Sequence, residues 1–158
     1  MPETMPAFRI TQWERPPELV EVPVPVPGPG QVLVEVAGNG LCHSDIIMGQ
    51  MSAELGAAIG WQVPFTLGHE TAGRVAAVGP GVTAFAPGAP VACMSPTSCG
   101  VCDVCVAGHD NCCPHGLTGR GYGRDGGLAR YVLVESAREL VALDTLDPSI
   151  AEIGRAHV

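Results

Sequence analysis

Apolar residues in this chain come in short alternating runs broken by glycine and proline, the pattern of many short strands joined by turns. Leu19–Val26 alternates as LVEVPVPV. Its prolines cannot donate to a ladder, so it is expected at a sheet edge or as an extended run leading into the fold. Pro27-Gly28-Pro29-Gly30 is a turn, and Gln31–Ala37 (QVLVEVA) then predicts a strand with Val32, Val34 and Val36 on one face. Thr71–Val78 (TAGRVAAV) predicts another, closed by Gly79-Pro80-Gly81. Pro87-Gly88 turns the chain into Ala89–Cys93, and Leu128–Val134 with Glu139–Ala142 completes the strands. A helix is expected over Cys42–Gln50, where Ile46, Ile47 and Gln50 fall at helical spacing. The pattern is that of an all-β domain, with no internal repeat and no low-complexity linker.

Composition narrows the function classes. A chain of 158 residues with 46% apolar content suits one domain with a real core. No apolar run reaches the ~18 residues of a membrane span, and Met1–Ile10 is too short and polar for a signal peptide. Net charge is −8, with 16 acidic residues against 8 arginines and no lysine, which argues against a nucleic-acid partner. Abundant Ala, Gly, Pro, Val and Arg without lysine reads as GC-rich coding. Seven cysteines, several at metal spacing, make a reducing cytoplasm the expected compartment.

The candidate chemistry begins with Cys99, Cys102, Cys105 and Cys113, spaced C-x2-C-x2-C-x7-C. Thiolates so close together on a turn can converge on one ion, and four sulfurs are the donor set of a closed structural zinc site. A disulfide framework fits less well, because the spacings are short and no secretory signal precedes them. A ferredoxin-type cluster would end C-x3-C-P; Pro114 does follow Cys113, but the last gap is seven and no second set of four exists. Unligated buried cysteines are the remaining alternative. A second group lies at two strand ends: Gly40-Leu41-Cys42-His43-Ser44-Asp45 and Leu67-Gly68-His69-Glu70. A Cys and a His from separate loops make half of a catalytic zinc site, which keeps one position open for water or substrate. Taken singly, Cys42 reads more readily as a small buried hydrophobe and His69 as an ordinary hydrogen-bonded histidine than either does as a ligand. Met48–Phe65, with Met51 and Trp61, is expected as a substrate wall, with Trp61 equally readable as core. Cys93 has no metal-spaced neighbour and reads as a buried strand residue.

Taken together, PGPGQVLVEV, GLCHSD, LGHE, AAVGPGV, the cysteine lobe and DGGLARY occur in the order found in one family. From about Pro6 to Pro148 the chain resembles the catalytic domain of zinc-dependent medium-chain alcohol dehydrogenases, nearest to bacterial NAD-dependent members. The resemblance implies a mainly β, GroES-like (chaperonin-10-like) β-barrel over residues 1–151, with few short helices and a zinc lobe at about 94–116. It implies Cys42 and His69 as catalytic zinc ligands, with Glu70 as a carboxylate near the metal. Asp45 would orient His69, Ser44 would take the alcohol's proton, and His43 would face the cofactor pyrophosphate. Cys99, Cys102, Cys105 and Cys113 would hold structural zinc, Cys113 being preferred to Cys112 because it keeps the family's x7 gap. Ile46 and Ile47 follow Asp45 where many members carry a relay histidine, so the proton path must end elsewhere.

The implied function is oxidation of a primary or secondary alcohol to an aldehyde or ketone. Zinc polarises the hydroxyl and hydride passes to NAD or NADP. The implied partners are a small alcohol or carbonyl substrate and a second copy or more, as homodimer or homotetramer, with no nucleic acid and no membrane. The resemblance also calls for a Rossmann cofactor domain, yet no G-x-G-x-x-G opening a βαβ unit is present. The expectation is a catalytic-domain fragment inactive by itself; a freestanding zinc-binding β module without turnover is the alternative. The third catalytic ligand falls near Ala156, which offers no donor. Residues 152–158 (EIGRAHV) match the translation of a short-read sequencing adapter and are expected to be foreign to the domain.

Overall fold

A computed structural model describes residues 2–116 and 118–151. The expectations for Ala156 and for the adapter-like tail at 152–158 lie outside the described residues. The strands are β1 (Thr4–Ile10), β2 (Glu18–Pro23), β3 (Val32–Gly40), β4 (Phe65–Thr66), β5 (Glu70–Val78), β6 (Pro90–Cys93), β7 (Gly119–Arg120), β8 (Gly123–Arg124), β9 (Tyr131–Val134) and β10 (Leu140–Ala142). Between them lie α1 (His43–Met48), α2 (Ala53–Ala58), α3 (Asp103–Val106) and α4 (Pro148–Ala151). The fold is mainly β with short helices, as the alternating pattern predicts.

Two sheets carry it, in the orders β2-β1-β4 and β10-β6-β5-β3-β9, with β7 and β8 as a small parallel pair. The proline-marked strand is at an edge, as expected, although it ends at Pro23 and Val26 is exposed. Among the described residues the sheets are open ladders and do not close into one barrel. A single bridge between Ala7 and Ala129, flanked by the Phe8 N–H donating to the Leu128 carbonyl at 2.8 Å, joins the smaller sheet to the chain ahead of β9.

β3 is an interior strand, paired with β5 on one side and β9 on the other. Val32 and Val34 face Val75, Val91, Val132 and Val134, while Leu33 points the other way onto Met5 and Tyr131. All three of its apolar residues from 32 to 34 are fully buried, so both faces of the strand contribute to the core, roughly 1.5–3 kcal/mol for each such side chain. Cys93 lies buried in the same layer, as expected for a strand residue.

Three features depart from the sequence reading. β1 was not anticipated, although Met5, Ala7 and Ile10 are buried along it and six residues pair with β2 from Thr4↔Pro23 to Arg9↔Glu18. Its Pro6 sits on the exposed face and hides the alternation. α2 forms inside the expected substrate wall, capped by the Ser52 hydroxyl accepting the Leu55 N–H. Met51 there packs in a core with Ile10, Met48, Phe65 and Leu67, and Trp61 packs against its edge. Finally, α1 buries Asp45 and Met48 and leaves Ile46 and Ile47 in solvent. The polar residue wins the inward face because two partners wait for it there.

Candidate metal centres

Strand pairing brings the two halves of the first centre together. β3 and β5 run antiparallel, with Gly40 opposite Glu70 and Asn39 opposite Thr71. Cys42, just past the end of β3, therefore meets His69, just ahead of β5. Donor atoms of Cys42, His69 and Glu70 all lie within 4.8 Å of one another. Gly40 makes room for the third of these: a Cβ there would come 2.2 Å from a Glu70 carboxylate oxygen. Thr71 donates its hydroxyl to the Asn39 side chain at 2.6 Å, pinning the strand ends.

Asp45 serves two of these residues at once. One carboxylate oxygen accepts the Cys42 N–H at 3.0 Å, which caps α1. The other lies 3.4 Å from Nδ1 of His69. A proton on Nδ1, facing the carboxylate, would leave Nε2 as the nitrogen free to coordinate a metal, the usual way an outer carboxylate fixes a ligand tautomer. Ser44 Oγ lies 3.2 Å from that Nε2. Asp45 holds the His69 pKa above its ordinary value, against the opposing effect of burial. Burial pushes the Asp45 carboxyl up, but the hydrogen bonds to His69 and from the Cys42 N–H outweigh it and leave it below the usual value. The Ser44 hydroxyl and backbone N–H, then His69, pull the Cys42 thiol down. The donor set of thiolate, imidazole and carboxylate suits zinc.

The surroundings give the site a rim. His43 is exposed and lines, with Cys42, Asp45, Leu41, Phe8 and Ile46, a mainly apolar groove of about 840 Å³. Tyr122, which the sequence reading did not single out, stands edge-on to His69 with ring centroids 6.1 Å apart, and Trp61 is 5.8 Å beyond it. The signal for it was the run Gly119–Gly123. Gly121, at φ +81°, packs so closely on Gly68 that a Cβ would lie 2.5 Å from its carbonyl carbon. Gly121–Gly126 spells G-x-G-x-x-G, yet it crosses β8 and runs on toward β9 with no helix after it. It is a packing device against His69 and not a nucleotide loop.

The second centre is assembled within one lobe. Donor atoms of Cys99, Cys102, Cys105 and Cys113 lie within 4.8 Å of one another, with Cys99–Cys105 and Cys102–Cys113 sulfurs 4.0 Å apart. A tetrahedron with metal–sulfur bonds near 2.3 Å has sulfur–sulfur edges of about 3.8 Å, so the four residues fit zinc closely. Cys112 is exposed and is not among them. The Cys102 N–H donates to Cys99 Sγ at 3.4 Å and the Cys99 N–H to Cys113 Sγ at 3.5 Å. Backbone N–H groups of Val101 and Cys102 bring the Cys99 thiol down to about 6, whereas burial pushes Cys105 up to about 12. No helix among the described residues is long and apolar enough to cross a membrane.

Residues 28–145 match the family described as the alcohol dehydrogenase GroES-like domain. The chain is 35% identical to an NAD-dependent alcohol dehydrogenase of Sulfurisphaera tokodaii over 90% of its length and 42% of the relative's. It is 33% identical to an alcohol dehydrogenase of Geobacillus stearothermophilus, over 91% of its length and 41% of that protein's. Among solved structures, acetophenone reductase from Geotrichum candidum in complex with NAD superposes with a TM-score of 0.80 at 32% identity, covering 98% of this chain and 44% of that one. A cobalt- and zinc-bound thermostable alcohol dehydrogenase from Pyrobaculum aerophilum gives 0.79 at 32% identity, over 94% and 44%. The chain thus spans less than half the length of these relatives, over their alcohol dehydrogenase GroES-like region. It belongs to the alcohol dehydrogenase GroES-like domain family.

Proposed function

We propose that this chain is the catalytic domain of a zinc-dependent alcohol dehydrogenase that oxidises a primary or secondary alcohol with hydride transfer to NAD or NADP. The observation that carries the reading is the convergence of Cys42, His69 and Glu70 with Asp45 on one ring nitrogen of His69 and Ser44 near the other. Metal held there would supply Lewis acidity that lowers the pKa of an alcohol hydroxyl. Cys42 and His69 bind and orient, and Asp45 keeps Nδ1 of His69 protonated. The Ser44 hydroxyl takes the substrate proton and passes it outward. His43, exposed on the groove rim, would bind the cofactor's phosphates. The groove beside Cys42 would offer a mainly apolar wall to the substrate's carbon chain. Cys99, Cys102, Cys105 and Cys113 hold a structural zinc. Turnover requires the nucleotide-binding domain that family members carry. Alcohol and carbonyl compounds are the small-molecule partners, and the full-length enzyme assembles as a homodimer or homotetramer in the cytoplasm.

Metal stoichiometry tests this. The purified chain is expected to carry one tightly held zinc at the cysteine lobe and a second, weaker one at the other centre. Cys102→Ser should remove the first and His69→Ala the second, while Ser44→Ala, which removes a proton path and no ligand, should keep both. Unchanged zinc in His69→Ala would remove the catalytic assignment and leave a zinc-binding β module. Alcohol-dependent NADH formation by residues 1–158 alone would instead show that no further domain is needed.

A further inference from the structure

The cysteine lobe is held from outside by a residue far along the chain. Nη2 of Arg138, in the 3-10 turn Ala137–Glu139 ahead of β10, donates to the Cys105 carbonyl at 3.0 Å. The same nitrogen donates to both carboxylate oxygens of Asp110, at 3.1 and 2.9 Å. Asp110 in turn accepts the Ser98 hydroxyl at 2.7 Å, and its carbonyl accepts the Cys113 N–H at 3.1 Å. Three of the four sulfur-bearing segments therefore meet at one ion pair: Ser98 adjoins Cys99, Cys105 is bound directly, and Asp110 opens the turn leading to Cys113. The arginine stem lies over Gly100, in the turn between Cys99 and Cys102: a Cβ there would lie 3.9 Å from its Cδ. The turn carrying Arg138 is itself anchored, because the Glu139 carbonyl accepts the Met94 N–H at 2.8 Å.

We propose that the Arg138–Asp110 pair is a positioning clasp for the four-cysteine metal site, holding Cys99, Cys105 and Cys113 at metal-binding separation before the ion arrives. The proposal rests on reading that cluster as a zinc site. An exposed ion pair by itself stabilises little. This one differs in bringing three backbone segments of the lobe to a single guanidinium nitrogen and its carboxylate partner. Ordering them in advance removes part of the entropy cost of metal capture, as outer partners of metal ligands commonly do. The clasp also explains why a residue 25 positions after the last cysteine bears on the site.

The test is metal affinity of the chain and its variants, read by competition with a chromophoric chelator and by the absorption spectrum of the cobalt-loaded lobe. Arg138→Ala is expected to weaken zinc binding at the lobe by about 10- to 100-fold and to broaden the cobalt ligand-field bands. Arg138→Lys keeps the charge, but its shorter side chain places the ammonium short of the Nη2 position and lacks the planar guanidinium, so it should recover only part of the loss. Asp110→Asn should weaken binding in the same direction, and Asp110→Asn with Arg138→Ala should be no worse than Arg138→Ala alone. Arg124→Ala, which removes a different exposed arginine, should change nothing. Affinity within about twofold of the parent in Arg138→Ala, with an unaltered cobalt spectrum, would overturn the clasp. If that variant does not fold, unchanged affinity in Asp110→Asn overturns it equally. A parent chain that takes up no zinc at the lobe would instead sink the metal reading beneath it.

Discussion

Individual cysteines in the lobe share a cluster but not an environment. Cys99 receives backbone N–H groups from Val101 and Cys102, which stabilise its thiolate and bring its pKa to about 6. Cys105 is enclosed, and burial disfavours its charged form up to about 12. In the metal-free lobe Cys99 is therefore mostly thiolate at pH 7 and Cys105 remains a thiol beyond pH 10. Because only the thiolate attacks, iodoacetamide should label Cys99 well before Cys105. Timed alkylation followed by peptide mass spectrometry reads the order directly. Cys105 reacting as fast as Cys99 would show that the lobe opens when the metal leaves. At this scale the sequence was most legible. The C-x2-C-x2-C-x7-C spacing picks out the four cysteines whose sulfurs converge because a short loop cannot carry them far apart. Tyr122 was not legible, since its approach to His69 depends on where a glycine-rich segment packs.

Among the elements, α1 shows where pattern and structure part. Ile46 and Ile47 would give this helix its apolar face by spacing alone, yet they are exposed at 63% and 52% while Asp45 is buried. The carboxylate is drawn inward by the Cys42 N–H on one side and His69 on the other, and the helix turns with it. Such a fixed polar anchor cannot be seen from hydropathy, because its partner comes 24 residues later, beside a strand whose register supplies the contact. β1 was missed for a related reason: Pro6 masks an alternation that only pairing with β2 makes plain. The double role of Asp45 can be separated. Asp45→Ala should cost about 1 kcal/mol of stability as a lost helix cap in the metal-free chain. It should also weaken metal binding at Cys42 and His69 by about 10- to 100-fold as a lost orienting partner. Asp45→Asn keeps an oxygen for the Cys42 N–H, so it should recover the cap but not the affinity. Thermal melts and a metal titration on the two variants decide it; equal melting losses would show that the carboxylate does not act as a cap.

Across the whole molecule the lobe and the sheets are joined through a buried ion pair. Arg120 in β7 and Glu139 ahead of β10 have side chains only 2% and 3% exposed, and their charged ends are in direct contact. The Arg120 N–H donates to the Ser95 carbonyl at 2.9 Å, and its guanidinium reaches the Leu133 carbonyl of β9 at 3.5 Å. Glu139 also lies 3.5 Å from the Ser98 N–H at the mouth of the cysteine lobe. One pair thus ties β7, β9, the segment that follows β6 and the lobe. Two charges taken out of water cost heavily, so such a pair adds little net stability over apolar side chains of the same size. Removing one partner, however, strands the other in a low-dielectric interior. Arg120→Met alone or Glu139→Leu alone should therefore lower unfolding free energy by about 3–5 kcal/mol, whereas the double replacement should lie far closer to the parent. Urea denaturation of the zinc-loaded chain measures all three. The cost of the double replacement separates two roles: near-parental stability would mean that the pair fixes where the lobe sits without adding strength. A loss equal to the sum of the single replacements would mean that the two residues act independently, and the join between lobe and sheets would then lie elsewhere.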